Sequence, residues 1–141
     1  CGTGTIGQYI AGNRGKIVGV EIVSAAIENA KENARINGIE NAEYFCAAAE
    51  SVAPRLVKNG LKPDVIVLDP PRKGCERSLL EAAAKIRPKR IVYISCKPST
   101  LARDLKILSE LGHETKEVQP VDMFPRTCHV ECVVLMSRAD N

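Results

Sequence analysis

Arg90-Ile91-Val92-Tyr93-Ile94-Ser95-Cys96-Lys97-Pro98 reads as a buried β-strand that stops at a cysteine. Ile91, Val92 and Ile94 are β-branched and the run has no polar alternation, which suits a strand covered on both faces of a parallel sheet. Pro98 has no N–H to give to a ladder, and Ser99-Thr100-Leu101-Ala102-Arg103-Asp104-Leu105 then reads as a helix. Its apolar spacing continues to Leu111, and Gly112 stops it. Cys96 therefore lies at a carboxyl strand end, the edge at which open α/β sheets bind ligands.

Outward from this strand, strand-like and helix-like stretches alternate, the pattern of βαβ units on a parallel sheet. Lys16 to Glu21, Glu43 to Cys46 and Asp64 to Asp69 are strands; Ser24 to Asn37, Glu50 to Lys58 and Leu79 to Ile86 are helices. Pro54 belongs in the first turn of its helix or it bends the element. At the end, Glu114 to Val121 and His129 to Met136 are two strands with no helix between them, which predicts an antiparallel hairpin. The fold class is α/β, with a mostly parallel sheet and that hairpin. The chain opens on a glycine-rich turn, Cys1 to Gly7, with no strand before it. The first strand, central in such a sheet, is expected to be missing, with upstream residues in the natural protein.

The chain has 141 residues, 45% hydrophobic and 26% charged, which suits one domain over residues 1–141, truncated at its N-terminus. A net charge of +3, without a basic tract, permits a nucleic-acid partner without demanding one. The six cysteines form no C-x-x-C pair and read as reduced thiols. Cys128 and Cys132 lack the further ligands of a zinc site, so no metal is expected. Cys46, Cys75, Cys128 and Cys132 are taken as structural, Cys75 the most exposed by its polar setting. With neither a signal peptide nor a membrane-length apolar stretch, a soluble cytoplasmic protein is expected.

Gly2-Thr3-Gly4-Thr5-Ile6-Gly7 fits G-x-G-x-x-G, in which glycines let the backbone approach a cofactor. Such turns are often only turns, but Glu21 ends the next strand, where an acid accepts both ribose hydroxyls of an adenosine. Nicotinamide dinucleotides and S-adenosylmethionine both satisfy this. Asp69-Pro70-Pro71-Arg72 separates them, because a rigid acid-Pro-Pro turn at the ligand edge has no regular use in dehydrogenases. Amino-group methyltransferases place an aromatic after a similar turn; Arg72 stands there, which disfavours adenine N6 or glutamine methylation.

A lone cysteine is more often packing than chemistry. Carbon 5 of uracil, however, is too poor a nucleophile to attack a methyl sulfonium unless a thiolate first adds to carbon 6. The carbon 5 proton must then go to a base. Cys96 suits the first task and Glu131, at the start of the last strand, the second. Lys97 and His129 are supporting or solvated.

In order, Cys1-Gly2-Thr3-Gly4, Gly19-Val20-Glu21, Asp69-Pro70-Pro71-Arg72, Ser95-Cys96-Lys97-Pro98, and Met123-Phe124-Pro125 followed by His129-Val130-Glu131 resemble the S-adenosylmethionine-dependent RNA uracil-C5 methyltransferases. These make 5-methyluridine in tRNA and 23S rRNA, and the resemblance covers nearly the whole chain as their C-terminal catalytic domain. It implies a Rossmann-like fold, S-adenosyl-L-methionine as cofactor and RNA as partner. It also implies Cys96 as nucleophile, Glu131 as base, and Asp69 near the methionine end of the cofactor or the uracil, with Arg72 also on the substrate side. Glu21 would take the ribose, Gly2, Gly4 and Thr5 the methionine moiety, and the segment around Ala48 the adenine. The usual Ser-Cys-Asn-Pro has Lys97 in place of asparagine, expected to tune reactivity. Many members carry an RNA-binding barrel, a middle domain and an iron–sulfur cluster upstream, and a cofactor-binding glutamine and aromatic would fall before Cys1. The continuation Ser99 to Leu105 looks closer to the ribosomal branch, so 23S rRNA is expected over tRNA. The alternatives are a tRNA enzyme, an RNA cytosine-C5 methyltransferase, a nicotinamide-dependent oxidoreductase or an inactive RNA-binding fragment.

Overall fold

The computed structural model describes residues 1–11 and 15–139, which gather into two compact units, Cys1–Leu56 and Val57–Asn141. In the first, α1 (Thr5–Ala11) follows the glycine turn, then β1 (Ile17–Glu21), α2 (Ser24–Ile36), β2 (Ala42–Cys46) and the start of α3 (Ala49–Lys58). β1 and β2 pair in parallel from Ile17↔Ala42 to Glu21↔Cys46. The spacing of Ile27, Ala30 and Ala34 puts all three on one face of α2, and all three are buried. Gly38, at φ +64°, ends the helix as the Ile39 N–H reaches back to the Ala34 carbonyl at 2.8 Å. Gln8 is buried and donates to the Ala30 carbonyl at 2.9 Å and to the Tyr44 hydroxyl at 2.6 Å, tying α1 to α2 and β2.

The second unit holds β3 (Val65–Leu68), α4 (Arg77–Lys85), β4 (Arg90–Ser95), α5 (Pro98–Glu110), β5 (His113–Val121) and β6 (Glu131–Arg138). Its sheet runs β3-β4-β6-β5, with β3 and β4 parallel and β6 antiparallel to both β4 and β5. Leu80, Ile91, Leu108, Val134 and Met136 are all but closed to solvent and form the core with Leu68, Leu101 and Tyr93. Burying each large apolar side chain of that set is worth about 1.5–3 kcal/mol.

The expected alternation, parallel pairing and terminal hairpin are all present. The parallel pairs nevertheless lie in two sheets, since β1 pairs with β2 and β3 with β4. β6 enters between β4 and β5 and pairs antiparallel with both, while Cys132, Val134 and Met136 alternate onto the buried face. Pro54 sits in the second turn of α3, not the first. Cys75, expected to be the most exposed of its group, is buried at 7%, because its N–H is drawn to a buried carboxylate and the chain dives into the core there. Cys46 and Cys128 are the exposed ones. Among the described residues no helix is long and apolar enough to cross a membrane, and no group of His, Cys, Asp and Glu side chains converges as metal ligands would.

Candidate active site

In the second unit the carboxyl ends of β3 and β4 and the start of β6 meet at one sheet edge. The last pairing of β4 with β6 is Ser95↔Cys132, so Cys96 follows and Glu131 precedes that pair at the same end of the ladder. Cys96 and Glu131 are both half-buried. The Ser95 hydroxyl folds the chain after the strand, accepting from the Lys97 N–H at 3.1 Å and donating to the Lys97 carbonyl at 3.2 Å. Cys96 is thereby held in the bend. Pro98 opens α5 at a position that needs no N–H, with Lys97 extended before it.

Leu68 pairs with Tyr93, so Asp69 leaves β3 alongside the end of β4. Its side chain reaches solvent, yet the surrounding protein desolvates it and pushes its carboxyl above the usual range. Arg72 is exposed, and its carbonyl accepts from the Thr100 hydroxyl at 3.0 Å. The edge therefore carries a thiol, two carboxyls and a guanidinium.

In the first unit, Glu21 binds the glycine turn. Its Oε2 accepts from the Gly2 N–H at 2.9 Å and the Cys1 nitrogen at 3.0 Å, while Oε1 accepts from the N–H groups of Ile22 at 2.9 Å and Val23 at 3.1 Å. The Gly2 N–H is the largest of the causes that hold its carboxyl down to about 2. Gly2 and Gly4 adopt φ of +51° and +78°, and a Cβ on Gly4 would stand 2.7 Å from Gln8 Nε2. Beside Gly2 there is open space. The Thr5 hydroxyl lies 3.1 Å from that of Thr3, and the Ala48 carbonyl accepts from the Ser51 hydroxyl at 2.8 Å at the head of α3.

A family profile described as tRNA (Uracil-5-)-methyltransferase matches residues 1–139. The chain belongs to that family. Among the relatives of the chain are an uncharacterized RNA methyltransferase of Clostridium acetobutylicum and one of Bacillus cereus. The first is 59% identical over 99% of the chain and 30% of its own length. The second is 56% identical over the same shares. The chain thus spans about 30% of the length of these curated relatives. The crystal structure of Pyrococcus abyssi tRNA (uracil-54, C5)-methyltransferase with S-adenosyl-L-homocysteine superposes with a TM-score of 0.82 at 36% identity, over 96% of this chain and 31% of that one. Magnesium protoporphyrin IX methyltransferase from Synechocystis with bound SAM has a TM-score of 0.73 at 15% identity, over 98% of this chain and 66% of that one, a likeness of fold alone. The fold is that of the S-adenosylmethionine-dependent methyltransferases.

Sequence reasoning passed over one group at this edge, the buried carboxylate of Asp104, which receives the Cys75 N–H. Its signal was present. Asp104 lies three residues after Leu101 and four before Leu108, on the buried stripe of α5 where a charge has no routine place.

Proposed function

We propose that residues 1–141 are the catalytic domain of an enzyme that methylates carbon 5 of uracil in RNA through a covalent bond between Cys96 and carbon 6. The observation that carries this is that Cys96 and Glu131 adjoin the last β4–β6 pair, Ser95↔Cys132, at one end of the ladder. The cofactor fits the first unit: an ionised acid ends β1, and beside it Gly2 leaves space where a Cβ would stand. Glu21, Gly2, Gly4, Thr5 and the backbone near Ala48 would hold S-adenosylmethionine. When bound, it supplies the methyl group.

The Cys96 thiolate adds its electron pair to carbon 6, and the carbon 5–carbon 6 double bond becomes an enolate with carbon 5 nucleophilic. Carbon 5 would then take the methyl group as the sulfonium–methyl bond breaks and a neutral thioether leaves, and carbon 5 becomes tetrahedral. Glu131 removes its proton, the double bond re-forms, and the sulfur–carbon 6 bond breaks to return the thiolate. Asp69 and Arg72 orient the uracil, which has to leave any base stack to reach Cys96.

The test uses the full-length protein, RNA containing uridine and labelled S-adenosylmethionine. Cys96→Ala is expected to lower turnover by on the order of 10³-fold or more and to abolish the covalent adduct with 5-fluorouridine RNA. Retained turnover would sink the mechanism. Glu131→Gln leaves addition and methyl transfer in place and slows elimination by about 10²-fold or more, so methylated adduct accumulates on denaturing gels. Normal release would exclude Glu131 as the base. The comparisons lend no weight to 23S rRNA over tRNA, so both are assayed side by side. A cytoplasmic location accords with an RNA substrate and bacterial relatives.

A further inference from the structure

Asp104 is the only carboxylate among the described residues whose surface is fully closed to solvent. A charge in that position persists only if donors surround it. Oδ2 accepts from the Cys75 N–H at 2.7 Å and the Tyr93 hydroxyl at 2.5 Å, and Oδ1 from Arg103 Nε at 2.8 Å and Nη2 at 2.7 Å. Burial first, and then Asp104, push the Tyr93 hydroxyl up, so it stays protonated as a donor. Arg103 Nη2 also donates to the carbonyls of Lys73 at 3.0 Å and Cys75 at 3.2 Å. Between them lies Gly74, at φ +79°, where a Cβ would stand 2.6 Å from both Arg103 Nη2 and Asp104 Oδ2. The backbone of the turn is pressed against the ion pair.

One turn earlier on α5, the Thr100 hydroxyl lies 3.0 Å from the Arg72 carbonyl and 3.1 Å from that of Lys97. α5 therefore grips both the turn that follows Asp69 and the bend that carries Cys96. Desolvation of Asp104 offsets much of its attraction to Arg103, so the pair is weak evidence for stability.

We propose that Asp104, with Arg103, is a positioning residue that clamps residues 70–75 onto α5 and so sets Asp69 and Arg72 against the Cys96 bend for reaction. The clamp stands on its own contacts; its effect on turnover rests on the uracil-methylation reading.

The experiment compares Asp104→Asn and Arg103→Lys with wild type in the full-length protein. It measures turnover per active site, sites being counted by trapping with 5-fluorouridine RNA, KM for S-adenosylmethionine, and amide hydrogen exchange over residues 70–76. Turnover per trapped site is expected to fall about 10- to 100-fold, with KM little changed and exchange raised in that segment alone. Arg103 is half-exposed, so Arg103→Lys keeps the test alive if Asp104→Asn fails to fold. Wild-type turnover per site in a variant with lowered melting temperature overturns the proposal, as does unchanged exchange over 70–76. A wild-type protein that 5-fluorouridine RNA does not trap defeats the uracil reading and with it the effect on turnover, while the exchange result still decides the clamp.

Discussion

Glu21 shows how much one carboxylate can organise. With four N–H donors on two oxygens, it is a fastener between the glycine turn and β1. Its folded pKa of about 2 lies below the ordinary value of 4.5, so folding favours the ionised form. The stability it contributes is fully present above 4.5 and is lost as pH falls through about 2. Glu21→Gln lacks that contribution at every pH. The gap in unfolding free energy between wild type and Glu21→Gln is therefore expected to be widest near neutrality and to close in acid. Circular dichroism of urea unfolding across the pH series checks this, and a constant gap would refute it. The position of Glu21 at a strand end was legible in the sequence from the hydrophobic run before it. Its four donors were not, since they are backbone groups whose direction no residue letter encodes.

Among the elements, boundaries were mostly legible because β-branched runs, glycine stops and prolines are local signals. Strand order was not, because the letters of β6 alternate in the same way whether it lies at an edge or between two strands. Asp104 was overlooked for a related reason: its α5 stripe was read by its leucines, and a buried acid needs a donor set assembled from Cys75, Tyr93 and Arg103, far apart in sequence. β1 offers a sharper test of packing between elements. A Cβ on Gly19 would stand 2.5 Å and 2.8 Å from the Tyr44 ring and 3.0 Å from Cys1 Sγ. The ring cannot retreat freely while its hydroxyl receives Gln8 at 2.6 Å. Gly19→Ala is expected to destabilise by about 1–3 kcal/mol. Gly15→Ala, with nothing within 4 Å, is the matched control and should be nearly neutral. Equal urea midpoints for the two variants would show that Tyr44 yields.

At the scale of the molecule, the sheet edge that carries Cys96 depends on β6. β6 pairs with β4 from Arg90↔Ser137 to Ser95↔Cys132, so the strand bearing Glu131 is also the one that closes the ladder beside Cys96. Val134 lies between Tyr93 of β4 and Val118 of β5, and both it and Met136 are fully buried, whereas Val118 is 52% exposed. Core loss in β6 should therefore reach the edge, and trimming β5 should not. Met136→Ala is expected to cost about 2–5 kcal/mol, and Val118→Ala about 0.5 kcal/mol or less. Both are read from denaturant unfolding, with hydrogen exchange slowest in β4 and β6 of the wild type. Because Met136 pairs with Ile91, four residues from Ser95 and the Cys96 bend, the Met136→Ala variant should also trap 5-fluorouridine RNA more slowly under conditions where it remains folded. Equal costs at the two positions would mean that β5 anchors the sheet as much as β6 does.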